Sequence, residues 1–569
     1  MKRLCAAGWL ALIGAVALVS LLALGGPEPA RADRPGYFAI RGARIVPVSG
    51  PVIESGTVVI ANGLIAAVGA NATIPPEAWV IDGKGLTVYP GLIDAMTSIG
   101  QPAAPAPRGA PGAGPQQPQP AQPGQRQAAR SQGPEDRPGT TPWESGADEL
   151  NPEDNKFTQW RNAGFTTIVS VPQRGILPGM GSVVNAAGEE KSEMVVKSPA
   201  TLHVTMSSPG GFTGFPGSLM GTIAYIKQLL HDANQHSAAQ AAYEKNPKQQ
   251  RPIFDRAERS ILHAMRAGYP VMLPANRSPE FARAIAIADE FQLKAVIYGA
   301  QEAYDAATTL AAKKYPVLVN LDWPQKQRDA DPEAEESLAT LRFRDRAPSS
   351  PAALQKAGVK FAFYSGGIAA PAEIIKNAKK AIDAGLPSDA AIRAFTLSAA
   401  EILGVADRLG SIEPGKIANL VVADGDIFNE KTKVKMIFVD GAKYEAREPA
   451  RPTERPTVNL GGQWTLTIRS PQGEQPGSAT LSMTPDGTLT GNVTTQLGTS
   501  AISSGWVSAN RFNFTISLTV GGQSTDVVFS GTAEGNTMKG TVSFGGVSVE
   551  FTGTRPGSGG DASSEGGAL

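Results

Sequence analysis

Cysteine and histidine are nearly missing from this chain of 569 residues, which holds one cysteine and four histidines. A lone cysteine at position 5 excludes disulfides and any paired-cysteine metal or redox site. Four histidines, His203, His231, His236 and His263, leave little imidazole with which to build a metal centre. Net charge is missing too, because Lys plus Arg and Asp plus Glu are both 52. No excess of either sign is available to favour nucleic acid or an acidic surface. There is no His-Glu-x-x-His, Cys-x-x-Cys or Gly-x-Ser-x-Gly arrangement, so the chemistries those motifs support have no basis here.

What is present is ample core-forming material. The chain is 41% hydrophobic and 18% charged, and its length suits two to four domains. Lys2 and Arg3, the apolar run Ala11 to Leu24, and Ala30-Arg31-Ala32 read as a signal peptide over residues 1–32. A membrane anchor is the rival reading, but the apolar run is short for a span. The mature protein is then expected in the periplasm, outside the cell or on its surface, free of cysteine and with no membrane span.

Residues 33–90 carry short alternating β segments, with Asn62-Gly63 as a hairpin turn. A matching β segment returns at residues 405–447, with Asp440-Gly441 as a second turn. Between them, at 91–404, apolar strands alternate with helical stretches at the spacing of βα units. The strands are read at 166–171, 201–206, 271–274, 295–298, 317–320 and 361–365. The Gly-rich segment Gly175 to Ser182 reads as a structural turn. Residues 101–140 are packed with Pro, Gln, Ala and Gly and read as a disordered insertion. Residues 231–252 are polar and are expected to extend a helical hairpin. From 456 to 555 the composition shifts to Thr, Ser, Gly, Val and Phe with two-residue alternation, about eight strands of a small barrel or sandwich. Trp464 and Trp506 are expected to plug its core, and 556–569 reads as a flexible tail.

Two segments carry a family resemblance. Tyr89-Pro90-Gly91-Leu92-Ile93-Asp94-Ala95-Met96-Thr97-Ser98 is similar to the first barrel strand of the amidohydrolase superfamily, which reads roughly Pro-Gly-Leu-Ile-Asp-x-His-x-His. Gly410-Ser411-Ile412-Glu413-Pro414-Gly415-Lys416-Ile417-Ala418-Asn419-Leu420 resembles its C-terminal signature. The resemblance covers about residues 37–447, on the side of the imidazolonepropionase-like and dihydroorotase-like members. It implies an α/β fold: a (β/α)8 TIM barrel, with a composite β-sandwich from the two flanks. It also implies metal-dependent hydrolysis of C–N bonds other than peptide bonds, with zinc or another divalent ion.

The residues depart from that chemistry. Met96 and Ser98 stand where the family has the two strand-one histidines, and a thioether and a hydroxyl are poor ligands for such an ion. Pro274 occupies a histidine position, Tyr298 replaces any ligand on its strand, and Gly366 stands at the aspartate that takes the water's proton. The resemblance therefore implies no catalytic or metal residues in this copy, and no cofactor is expected. Asn276, Tyr298, Asp322, Trp323 and Ser365 are candidates for lining a cleft, with Trp323 either stacking on a ligand or serving as a rim aromatic. His203 and His263 read as packed or structural residues, and His231 with His236 as an incidental pair. The reading is a catalytically degenerate amidohydrolase that binds a ligand or supports a complex. A hydrolase with a rearranged site and a periplasmic or surface assembly part are its rivals. Candidate partners are a small molecule or an intact amidohydrolase paralogue, and nucleic acid is excluded.

Overall fold

The computed structural model describes residues 36–102, 137–206, 215–326, 335–446, 454–470, 473–495, 498–520, 523–544 and 547–555. The signal peptide, most of the Pro/Gln-rich insertion and the tail expected from sequence lie outside the described residues.

The first body is one eight-stranded sheet assembled from both flanks of the barrel. Its N-terminal strands are β1 (Tyr37–Ile45), β2 (Ile53–Ala61), β3 (Leu64–Gly69), β4 (Trp79–Asp82) and β5 (Thr87–Pro90). Its C-terminal strands are β14 (Leu420–Ala423), β15 (Val434–Val439) and β16 (Ala442–Glu445). They lie in the order β16-β15-β14-β5-β1-β2-β3, with β4 alongside β1. The two flanks join where β5 pairs antiparallel with β14, Tyr89 opposite Val421 and Val88 opposite Val422. Both anticipated turns form, because Asn62, Gly63, Asp440 and Gly441 all take positive φ, the backbone a tight hairpin needs.

The second body is the barrel, whose strands are β6 (Leu92–Thr97), β7 (Phe165–Ser170), β8 (Gly179–Asn185), β9 (Val195–His203), β10 (Val271–Ala275), β11 (Ala295–Gly299), β12 (Val317–Asn320) and β13 (Phe361–Tyr364). They are neighbours in that order. Alternate residues fall into two cores, as the two-residue period of a strand requires. Ile93, Val169, Met272, Val296, Leu318, Ala362 and Tyr364 pack together inside the barrel. Leu92, Ile168, Leu273, Ile297, Val319 and Phe363 pack outward against the helices.

One strand differs from the sequence reading. The segment read as a Gly-rich turn runs into β8, which is buried along its whole length and is antiparallel to both β7 and β9. The connection from Ser170 to Gly179 is too short for the crossover that a parallel neighbour needs, so the chain doubles back. The remaining ladders of the barrel are parallel. The sheet's two ends, β6 and β13, meet through a side chain, since the Ser365 N–H donates to Asp94 Oδ1 at 2.9 Å.

The polar segment 231–252 does extend a hairpin, made of helices Leu219–Lys245 and Arg256–Arg266. Arg137 pins the returning chain to it, 2.8 Å from Asp232, 3.2 Å from Asp255 and 2.7 Å from Glu258.

The third body is a closed antiparallel barrel of β17 (Gly462–Ser470), β18 (Gly473–Met483), β19 (Leu489–Thr495), β20 (Gly498–Ser508), β21 (Arg511–Val520), β22 (Gln523–Glu534), β23 (Thr537–Phe544) and β24 (Val547–Thr554). Eight strands enclose just enough room for side chains. Trp464, Phe512, Phe514, Phe529 and Phe551 fill it, with the Phe514 and Phe529 rings stacked at 4.7 Å. Trp464 is a core residue, as expected, its indole N–H satisfied by the Leu460 carbonyl. Trp506 is not: Val507 takes the inward position opposite Phe512, leaving Trp506 half-buried on the outer face.

Candidate functional site

The C-terminal ends of the barrel strands bring most of the singled-out residues to one mouth. On β6 the ladder to β7 is irregular between Asp94 and Thr97. Ala95 and Met96 both pack against the barrel interior, and Ser98 follows, exposed, at the rim. On β10, Met272 points inward, which by alternation places Pro274 inward one step nearer the mouth. Tyr298 packs inward on β11, beside Pro274 in the ladder.

Two phenols dominate this mouth. The rings of Tyr298 and Tyr364 meet edge to face with centroids 6.5 Å apart. The Tyr298 hydroxyl donates to the Val204 carbonyl at 2.9 Å, and burial pushes its pKa well up. Tyr364 is pushed up first by burial, then by Tyr298, Asp94 and Asp322 around it. Both therefore stay protonated at neutral pH.

The strand-eight position is closed in two ways. Gly366 has φ +63, and a Cβ there would run into the Asn320 carboxamide. Asn320, at the end of β12, is itself held by the Asp322 N–H, which donates to its Oδ1 at 2.8 Å. A carboxylate at 366 would need both the backbone and Asn320 to move.

Beside this lies a network that sequence reasoning did not find. Gln301 is buried, and its Nε2 donates to the Asp322 carbonyl at 2.6 Å. Its backbone N–H donates to Asn276 Oδ1 at 3.1 Å, and Asn276 Nδ2 donates to Gln301 Oε1 at 3.2 Å. Gln301 ties the ends of β10, β11 and β12 together. It reads in sequence only as the first residue of a helix, with nothing to mark it. The Asp322 carboxyl is raised by partial burial, although much of the residue is exposed; it sits at the rim, where solvent reaches one side.

Two cleft candidates belong elsewhere. Trp323 is 4% exposed, packed among the outer helices, with its indole N–H donating to the Asn377 carbonyl at 2.9 Å. Ser365 is buried, and its backbone N–H binds Asp94. Asp94 also accepts from Trp160 Nε1 at 2.9 Å, and burial raises its pKa. It is a strut across the barrel seam.

The histidines separate cleanly. His203, on the fourth barrel strand, faces the interior, where its Nε2 lies 2.8 Å from Thr201 Oγ1 and leaves no room for a Cβ on Gly181. Burial pushes its pKa down to about 3, so it is neutral. His236 Nδ1 is 2.9 Å from Glu258, and His231 Nε2 is 3.6 Å from Glu290. His263 is exposed, its ring edge-on to Tyr269.

Residues 331–443 match the model of the amidohydrolase family. No curated protein matches the sequence. Among solved structures, an amidohydrolase from Thermotoga maritima is 26% identical with a TM-score of 0.59, covering 72% of this chain and all of that one. A prolidase complexed with N-methylphosphonate-L-proline is 17% identical with a TM-score of 0.43, over 72% of this chain and all of its own. An adenosine deaminase from Xanthomonas campestris with bound zinc is 16% identical with a TM-score of 0.39, over 71% of this chain and 92% of its own.

These matches correct one expectation from sequence. The absence of a cofactor does not follow for this fold, because the amidohydrolase family whose model it matches is metal-dependent. Met96, Ser98, Pro274 and Gly366 offer no imidazole or carboxylate. Among the described residues no three His, Cys, Asp or Glu side chains are grouped to hold one.

Proposed function

This chain belongs to the amidohydrolase superfamily, and from that premise we propose that it keeps the family's barrel while having given up the family's hydrolysis. It carries the fold of hydrolases that act on C–N bonds. The observation that carries the proposal is the strand-eight position, where a left-handed glycine and the Asn320 carboxamide fill the place of the proton-accepting carboxylate. With no carboxylate at 366 itself, an attacking water lacks the family's proton acceptor, and the nearby Asp322 carboxyl reaches Gly367 from the solvent-facing rim instead. Tyr298 and Tyr364 cannot substitute, because their raised pKa values keep them as acids. What the mouth retains is recognition: the Tyr298 and Tyr364 phenols, the Asn276–Gln301 pair and the Asp322 carboxyl.

We place the mature chain outside the cytoplasm on the strength of its N-terminal pattern. No helix among the described residues is long and apolar enough to cross a membrane. Fractionation of cells expressing the full chain, with N-terminal sequencing of the product, tests this: cleavage after Ala32 is expected, and an intact cytoplasmic chain contradicts it.

The test of the functional reading is the Met96→His/Ser98→His variant, assayed with added zinc on N-acyl amino acids, dipeptides and substituted ureas. It rebuilds the imidazole pair and leaves the base missing, so it is expected to stay inert. Metal-dependent turnover by this variant would show that the proton acceptor lies elsewhere.

A further inference from the structure

A second recess lies beside the barrel, on the outer side of β8 and β9, with a cavity volume of about 490 Å³. That size falls within the range of small-molecule sites. One wall is the helix Arg256–Arg266, on which Arg256, Arg259 and His263 share a face by their spacing of three and four. The opposite wall is the chain around Trp143 and Ser145.

Both guanidinium groups lie over aromatic rings. Arg256 Cζ lies 4.6 Å from the centre of the Trp143 ring, and Arg259 Cζ lies 5.1 Å from that of Phe254. A guanidinium over a ring gains cation–π attraction while its N–H groups can still meet a carboxylate. Among the described residues neither arginine has a carboxylate in ion-pair reach. The helix's own acids are already taken, since Asp255 and Glu258 face the other way and bind Arg137. No acidic side chain lines the recess. Its floor is apolar, and Phe254 is 58% exposed. Ser145 adds a fixed hydroxyl, 2.6 Å from Ser198 Oγ and 2.9 Å from Ser182 Oγ.

We propose that this recess binds an organic anion, a carboxylate carried on an aromatic or similarly apolar body. The carboxylate meets the edges of Arg256 and Arg259, and the apolar body rests between Trp143 and Phe254. The site is separate from the barrel mouth and stands whether or not the barrel is catalytic.

Isothermal titration of the full chain with benzoate tests it, with benzylamine and inorganic phosphate as comparisons. Benzoate is expected to bind saturably, and Arg256→Ala/Arg259→Ala to weaken it by about ten- to a hundredfold, the worth of charge-assisted hydrogen bonds. Both arginines are exposed, so the variant should melt with the wild type. Trp143→Ala, with both arginines intact, should weaken benzoate as well, and benzylamine should not bind. Lack of saturable benzoate binding, or equal binding by the arginine variant, would overturn the proposal. Phosphate binding as tightly as benzoate would overturn the part assigned to the apolar body.

Discussion

His203 shows how one residue type can mislead in sequence and be decided by its surroundings. A strand histidine is a ligand candidate by position, but its ring is buried against Thr201 with its pKa pushed down to about 3. The unfolded value is near 6.5, so the folded chain resists protonation that the unfolded chain accepts. The stability this represents is fully present above pH 6.5 and is lost as pH falls from there toward 3, at up to about 1.4 kcal/mol per pH unit. Thermal melts of wild type and His203→Gln across that range should therefore converge in acid, with the variant's curve flatter; parallel curves would contradict the assignment. Gly366 gives the complementary case. Gly366→Asp forces a left-handed backbone and a clash with Asn320, so it should destabilise by about 1–3 kcal/mol. Adding Asn320→Gly should recover only the clash. Chemical denaturation measures both, and a neutral Gly366→Asp would mean that the strand end is loose.

At the scale of elements, the C-terminal barrel stands out. Its eight strands close on themselves, β17 pairing with β24, around a core of its own residues. A fragment starting at Pro452 is expected to fold alone with an all-β circular dichroism spectrum and a cooperative melt, and an unfolded fragment would refute this. Much of this architecture could be read from sequence because strands declare themselves through alternation, turn chemistry and apolar runs. Asn62-Gly63, Asp440-Gly441 and Phe512 to Leu518 all carried that signal. β8 did not, because its glycines and serine disguise a fully buried strand as a turn. The short link from Ser170 to Gly179 was the clue, being too short for a crossover helix. The barrel mouth was half legible. Met96, Ser98, Pro274, Tyr298 and Gly366 could be found by position against a motif. Gln301, Asn320 and Tyr364 could not, because they act through neighbours brought together only by closure of the barrel. Trp323 was misplaced for the same reason: a residue after a strand end can turn to the mouth or to the helices, and only packing decides.

Over the whole molecule, the chain is a C–N hydrolase scaffold flanked by a composite sheet and extended by a separate β-barrel. Its barrel mouth gathers the phenols of Tyr298 and Tyr364, the Asn276–Gln301 amide pair and the Asp322 carboxyl. The account stands or falls on whether that mouth turns anything over. The direct measurement is a single-turnover assay, with purified wild-type chain in excess over N-acyl amino acid, dipeptide and urea substrates and with zinc or manganese supplied. The account predicts no hydrolysis above the protein-free blank. Product formation that depends on the chain and is lost in Tyr298→Phe or Asn320→Ala would contradict it and locate a working site at the mouth.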